Sequence, residues 1–261
     1  MNNQTVEELN NRKLDECYFS IICFPIKIYF KEGENNISIK DIYIFYGCTL
    51  QGVRKFITAT IADDYEKTSD WYNLFLTLKR RNLKNILYAL LPDNKMLKDA
   101  IRLAFQEVET LVSCFEAINK INKYYPCKYS SDVFKLIKNI YLSDSLSDYS
   151  IAIDEFKLQY NDSNFILDLL ENDFKYAKTN YCYNLELRKH ILSFYFFRDV
   201  SKKLVVISHS KPYFISTDEF VNEMLHIIKS NETKMYCSKK EWINLLNMLY
   251  QNKKDLINNY L

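Results

Sequence analysis

Apolar positions run almost unbroken through residues 18–31, where Phe19, Ile21, Ile22, Cys23, Phe24, Ile26 and Ile28 leave no consistently polar face. Continuous apolarity of this kind marks a strand covered on both sides. Residues 37–49 start in alternation and become solidly apolar, and residues 53–62 mix β-branched side chains with a charged start. These stretches predict three successive strands, with turns at 33–36 and 50–52. The period then changes. Trp71, Leu74, Phe75 and Leu78 recur at helical spacing, and Thr68, Ser69 and Asp70 are candidate N-caps for a helix over 71–81. A buried strand over 86–91 comes next, then a helix over 95–105 capped by Pro92-Asp93-Asn94, and a fifth strand over 108–114. A helix over 116–125 ends before Pro126.

From about 130 to 190 the pattern is helical only, with segments at 132–141, 148–160, 164–178 and 184–197. Residues 203–208 are β-branched and ambiguous between helix and strand. Thr217 or Asp218 caps a helix over 219–229, and Ser238 caps one over 241–250. The class is α/β, a sheet-forming half followed by a helical half.

Composition sets limits on this picture. The 261 residues, 48% apolar and 26% charged, suffice for one large domain or two small ones with a sizeable core. Only 3 Gly and 4 Pro favour long helices over a turn-rich all-β fold. The 21 Tyr and 17 Phe accompany abundant Asn, Lys and Ile, a coding bias that does not by itself mark a base-stacking surface. A net charge of +2 is low for a dedicated DNA-binding domain. The seven cysteines are scattered and form no Cys-x-x-Cys pair, which argues against a zinc site and for reduced thiols in the core. The polar lead over 1–17 lacks the pattern of a signal peptide, and no apolar run reaches the length of a membrane span. The expected location is therefore the cytoplasm, with no membrane partner.

Several strings, taken in order, carry a family resemblance. Ile26-Lys-Ile-Tyr-Phe-Lys-Glu-Gly33 and Ile42-Tyr-Ile-Phe-Tyr-Gly-Cys-Thr-Leu-Gln-Gly52 come first. The stretch from Trp71 to Leu87 and Ile118-Asn-Lys-Ile-Asn-Lys-Tyr-Tyr-Pro126 follow, then Leu185-Glu-Leu-Arg-Lys-His-Ile191 and Tyr213-Phe-Ile-Ser-Thr-Asp-Glu-Phe220. Together they resemble the catalytic core of mutator-type DDE transposases of bacterial insertion sequences. The resemblance implies a ribonuclease-H-like core, an about five-stranded mixed sheet flanked by helices and interrupted by an all-helical insertion. On that reading, 1–17 is an N-terminal lead, 18–125 the sheet core, 126–197 the helical insertion and 198–261 the helices completing the core. The family's DNA-binding region before the core would be reduced here to the short lead.

The resemblance also implies a site, and the residues depart from it. The family's first acid falls on Phe24, its second on Pro92 with Asp93 next to it, its Cys-x-x-His on Ser113 and Glu116, and its third acid on Arg198. DDE chemistry uses two divalent metals about 4 Å apart, and hard Mg²⁺ requires carboxylate oxygens. Phe24 offers no oxygen. At an effective dielectric near 20, Arg198 would repel each dication at that distance by about 8 kcal/mol. The expectation is a catalytically inactive core without a metal cofactor, Mg²⁺ entering only if displaced acids rescue the site.

Asp93 is the rescue candidate. Asp199 is turned about 100° from Arg198 on a helix, and Asp41, Asp63 and Asp64 sit at strand ends. Ser208-His209-Ser210 has no positioned carboxylate or glycine elbow and reads as a surface loop. The family pose would bring Arg188, Arg198, Lys202 and Lys203 nearest the nucleic acid, and Lys79-Arg80-Arg81 is a further basic cluster. Solvated helix ends are the plain reading of Lys79-Arg80-Arg81, of Arg188 with Lys189, and of Lys202 with Lys203. DNA at insertion-sequence ends and a homodimer are the implied partners. The alternatives are an active metal-dependent transposase or nuclease with displaced acids, and a protein-interaction module that has lost DNA.

Overall fold

The computed structural model describes residues 6–33, 36–112, 135, 138–159, 177–178, 180–191, 203, 206–208, 210–232, 234–235 and 237–260. It divides into two compact units, Met1–Thr110 with Tyr195–Leu261, and Leu111–Phe194. After a short helix α1 (Val6–Asn11) come strands β1 (Cys17–Glu32), β2 (Asn36–Thr49) and β3 (Arg54–Ile61). Helix α2 (Thr68–Arg80), strand β4 (Asn85–Leu91), helix α3 (Lys95–Ala104) and strand β5 (Glu109–Val112) follow. The strands form one sheet in the order β3-β2-β1-β4-β5. β1 pairs antiparallel with β2 and parallel with β4, and β2 pairs antiparallel with β3. This is a mixed α/β sheet flanked by helices, compatible with the ribonuclease-H-like expectation.

β1 lies at the centre, and its first half, residues 17–24, is buried on both faces, as its unbroken apolarity requires. On one face Ile21, Cys23, Phe45, Ala89 and Leu91 share a core with Trp71, Phe75 and Leu78 of α2 and with Leu97, Ala100, Ile101 and Ala104 of α3. On the other, Phe19 meets the rings of Tyr88 and Trp242 edge-on, with centroids 5.7 and 5.4 Å away. Trp242 belongs to the closing helix, which spans Lys239–Asn258. Its indole N–H donates to the Leu50 carbonyl at 3.0 Å. The ring also lies over Gly52, where φ is 76° and an added Cβ would stand 2.7 Å away. That turn therefore needs glycine for both its backbone and its packing.

The caps differ from the sequence expectation in instructive ways. Lys67 precedes α2, and its N–H bonds to the Asp70 carboxylate at 2.9 Å, so Asp70 serves from the third helical position. The helix Thr217–Asn231 is capped one residue earlier than expected. The Ser216 hydroxyl accepts the Glu219 N–H at 3.1 Å, and the Glu219 carboxylate accepts the Ile215 N–H at 2.6 Å. Ser238 caps as predicted, in a reciprocal box with Glu241. That helix runs further than the 241–250 period indicated, through a non-helical Lys253.

In the second unit the described elements include α4 (Leu146–Gln159) and α5 (Leu185–Ile191). In the first unit, residues 206–208 are helical, which decides the ambiguous string where it is described. The helix expected over 116–125, and most of that over 164–178, lie outside the described residues. No described helix is long and apolar enough to cross a membrane.

Candidate functional site

The parallel register of β1 and β4 locates the first two acid positions. Ser20 stands beside Tyr88 and Ile22 beside Leu90. Phe24 lies two residues beyond Ile22 in β1, on the same face by alternation, and Pro92 is the first residue after β4 ends at Leu91. The parallel pairing thus brings the strand carrying one position alongside the strand that leads into the other, although the two are 68 residues apart in sequence. Phe24 is 1% exposed and pairs with Ile44 across the β1–β2 ladder, and Ile22, Ile42, Ile44 and Leu90 around it are all buried. Pro92 is buried too. The surroundings of Phe24 are buried and apolar, so a charge placed at that position would lose its hydration without a partner.

Asp93 does not fill the gap. It is exposed and sits at the entry to α3, where its carboxylate pairs with Lys98 at 2.5 Å. Asn94 caps the same helix by accepting the Leu97 N–H at 3.1 Å. Asp41 pairs with Lys27 at 3.1 Å, and Asp63 and Asp64 are exposed in a single 3₁₀ turn. Among the described residues no group of three His, Cys, Asp or Glu side chains is placed to hold a metal ion. The side chains at 24, 92 and 93 do not fit a two-metal centre. Arg198, Asp199, Ser113 and Glu116 lie outside the described residues.

A family comparison gives the geometry its context. The model of the Mutator family of transposases matches residues 2–232. The chain belongs to that family. No curated protein matches it significantly.

For this Mutator-family chain the cationic candidates separate by environment. Arg188 is 2% exposed, and its guanidinium donates to the carbonyls of Ser143 and Tyr141 at 2.8 and 3.3 Å while lying 4.2 Å from the centre of the Tyr181 ring. It holds one stretch of the helical unit against another and is closed to phosphate in this conformation. Lys203 is exposed, and Lys202 lies outside the described residues. In the 79–81 cluster, Lys79 and Arg80 are exposed, whereas Arg81 is buried.

Sequence reasoning placed Arg81 on the surface and missed a polar junction. The Arg81 guanidinium donates to the carbonyls of Leu9, Ile57 and Arg12 at 2.9, 2.9 and 3.0 Å. Arg12 in turn donates to Glu232 at 2.9 Å and to the Phe56 carbonyl. Glu232 also accepts the Phe56 N–H at 2.8 Å. Burial lowers the Arg12 pKa, but the hydrogen bond and charge of Glu232 outweigh it and the net shift is upward. The junction seals the outer edge of β3. Its signal in the sequence was only three charged residues far apart, which no local pattern links.

Proposed function

We propose that this protein is a Mutator-family transposase core of ribonuclease-H-like fold that has lost strand cleavage and acts by holding DNA. The observation that carries the reading is that Phe24 and Pro92, on which the family's first two acids fall, are both buried and offer no carboxylate to two-metal chemistry. The strand order supports the fold, and the Asp93–Lys98 pair argues against a displaced acid. Exposed Lys203, with Arg198 and Lys202 of the family pose, would supply phosphate contacts, each a point charge or fork for a backbone oxygen.

The test has two parts. The purified protein is incubated with insertion-sequence end DNA and Mg²⁺ or Mn²⁺, with Asp93→Ala in parallel. No nicking or strand transfer is expected from either, and metal-dependent cleavage that Asp93→Ala abolishes would overturn the reading. DNA binding is then followed against salt. Binding at about 50 mM salt that weakens steeply by about 200 mM is expected, since phosphate contacts release counterions. No binding at the lower salt would leave a protein-interaction module as the better account.

A further inference from the structure

The sheet guards its edges unevenly. The outer edge of β3 is closed by Glu232, Arg12 and Arg81 and by a backbone bond from the Arg54 N–H to the Lys234 carbonyl at 3.2 Å. The far end of β1 is closed by Phe214, whose N–H donates to the Tyr29 carbonyl at 2.7 Å and whose carbonyl accepts the Lys31 N–H at 2.9 Å. On the other side of this hairpin, β2 joins β3 only from the Ile42–Ile61 pair onward. Residues 36–41 of β2 therefore have no strand on their outer side among the described residues, although the turn Ala62–Asp64 lies close to the strand near Lys40. Ile37 and Ile39 there are 54% and 57% exposed, and Tyr29, opposite Ile39, is 40% exposed. An edge that carries an apolar stripe and no partner strand is a template for another strand.

We infer that this edge pairs antiparallel with the same edge of a second copy of the chain, about a two-fold axis at Ser38. The stretch Ile37-Ser38-Ile39 is symmetric about its centre, so the two-fold sets Ile37 of each copy against Ile39 of the other. Four isoleucines and two tyrosines then form one continuous stripe. In the same register Lys40 of each copy falls opposite Asn36 of the other, one strand from the Glu32 that faces Asn36. Within one chain Lys40 already pairs with Glu32 at 3.1 Å, so the second copy offers each lysine a further acid on the same face. Residues 25–41 carry three lysines and three acids, which suits a second copy and gives a phosphate backbone no net attraction. The inference does not depend on the reading of positions 24 and 92.

Cross-linking of the full chain tests the register. Residues directly opposite across an antiparallel pair have Cα atoms about 4.5–5.5 Å apart, within disulfide range. Ser38→Cys should form a disulfide-linked dimer on mild oxidation. Lys40→Cys should not, because its two copies would lie about 13 Å apart along the strands. The wild type measures the background from the exposed Cys182 and half-exposed Cys237. The expected result is about tenfold more linked dimer for Ser38→Cys than for Lys40→Cys or wild type. In sedimentation velocity, a concentration-dependent dimer should revert to monomer on Ile39→Lys. Equal cross-linking of the two variants would overturn the proposal. So would a monomer at every concentration.

Discussion

The Arg81 guanidinium satisfies carbonyls on α1, on the residue after it and on β3, and so fixes the chain's lead to the sheet with one side chain. Burial, with the nearby Arg12 charge, pulls its pKa down to about 10, which still leaves it charged at neutral pH. Arg81→Met should leave three acceptors without a donor and lower stability in urea unfolding by about 3 kcal/mol. Arg81→Lys should recover little, since one ammonium on a flexible stem does not reproduce a planar fork with three divergent donors. An unchanged unfolding midpoint would show that the junction contributes nothing. Phe24 and Pro92 were legible as departures from a family pattern, but their burial became visible only in the packed sheet. Arg81 shows the opposite limit. As the last of three basic residues ending a helix it looks solvated, and only the approach of α1 and β3 makes it internal.

Among the elements, the strands were the most legible because their apolar runs are long and their turns carry Gly33 and Gly52. Helix ends were less so. A cap depends on which hydroxyl or carboxylate meets a free N–H, and neighbouring Ser, Thr and Asp residues compete for that role. The contact between the β2–β3 turn and the closing helix had no local signal at all. It makes a sharp prediction, however. Gly52→Ala combines a positive φ with a Cβ 2.7 Å from the Trp242 ring, and should lower stability by about 1–3 kcal/mol. Trp242→Phe should lose the bond to Leu50 but relieve no crowding in the wild-type turn. A thermal melt of Gly52→Ala that matches the wild type would refute the packing argument.

For the whole molecule, the buried acids set a direction for alkaline stability. Burial pushes the Cys17 thiol up to about 12, and raises Cys48, Tyr18 and Tyr46 as well. Each is an acid that the fold keeps protonated more tightly than the unfolded chain does. Between about pH 9 and 11 the unfolded chain sheds protons that the folded chain retains, so stability falls as pH rises. Urea midpoints should be flat in these groups below about pH 8 and decline above about 9. Each group then contributes up to about 1.4 kcal/mol per pH unit. A midpoint that rises over that range would contradict the burial of these groups.

The bond from Trp242 to Leu50 links residues 192 positions apart, and the one from Glu232 to Phe56 links residues 176 apart. During synthesis at roughly 5–20 residues per second, about 10–40 s pass between the making of the β2–β3 turn and the making of the helix that covers it. The central strand is therefore among the first parts translated and among the last completed. For that interval the nascent chain presents the Phe19 and Tyr88 face without Trp242, a state in which binding by a ribosome-associated chaperone competes directly with aggregation.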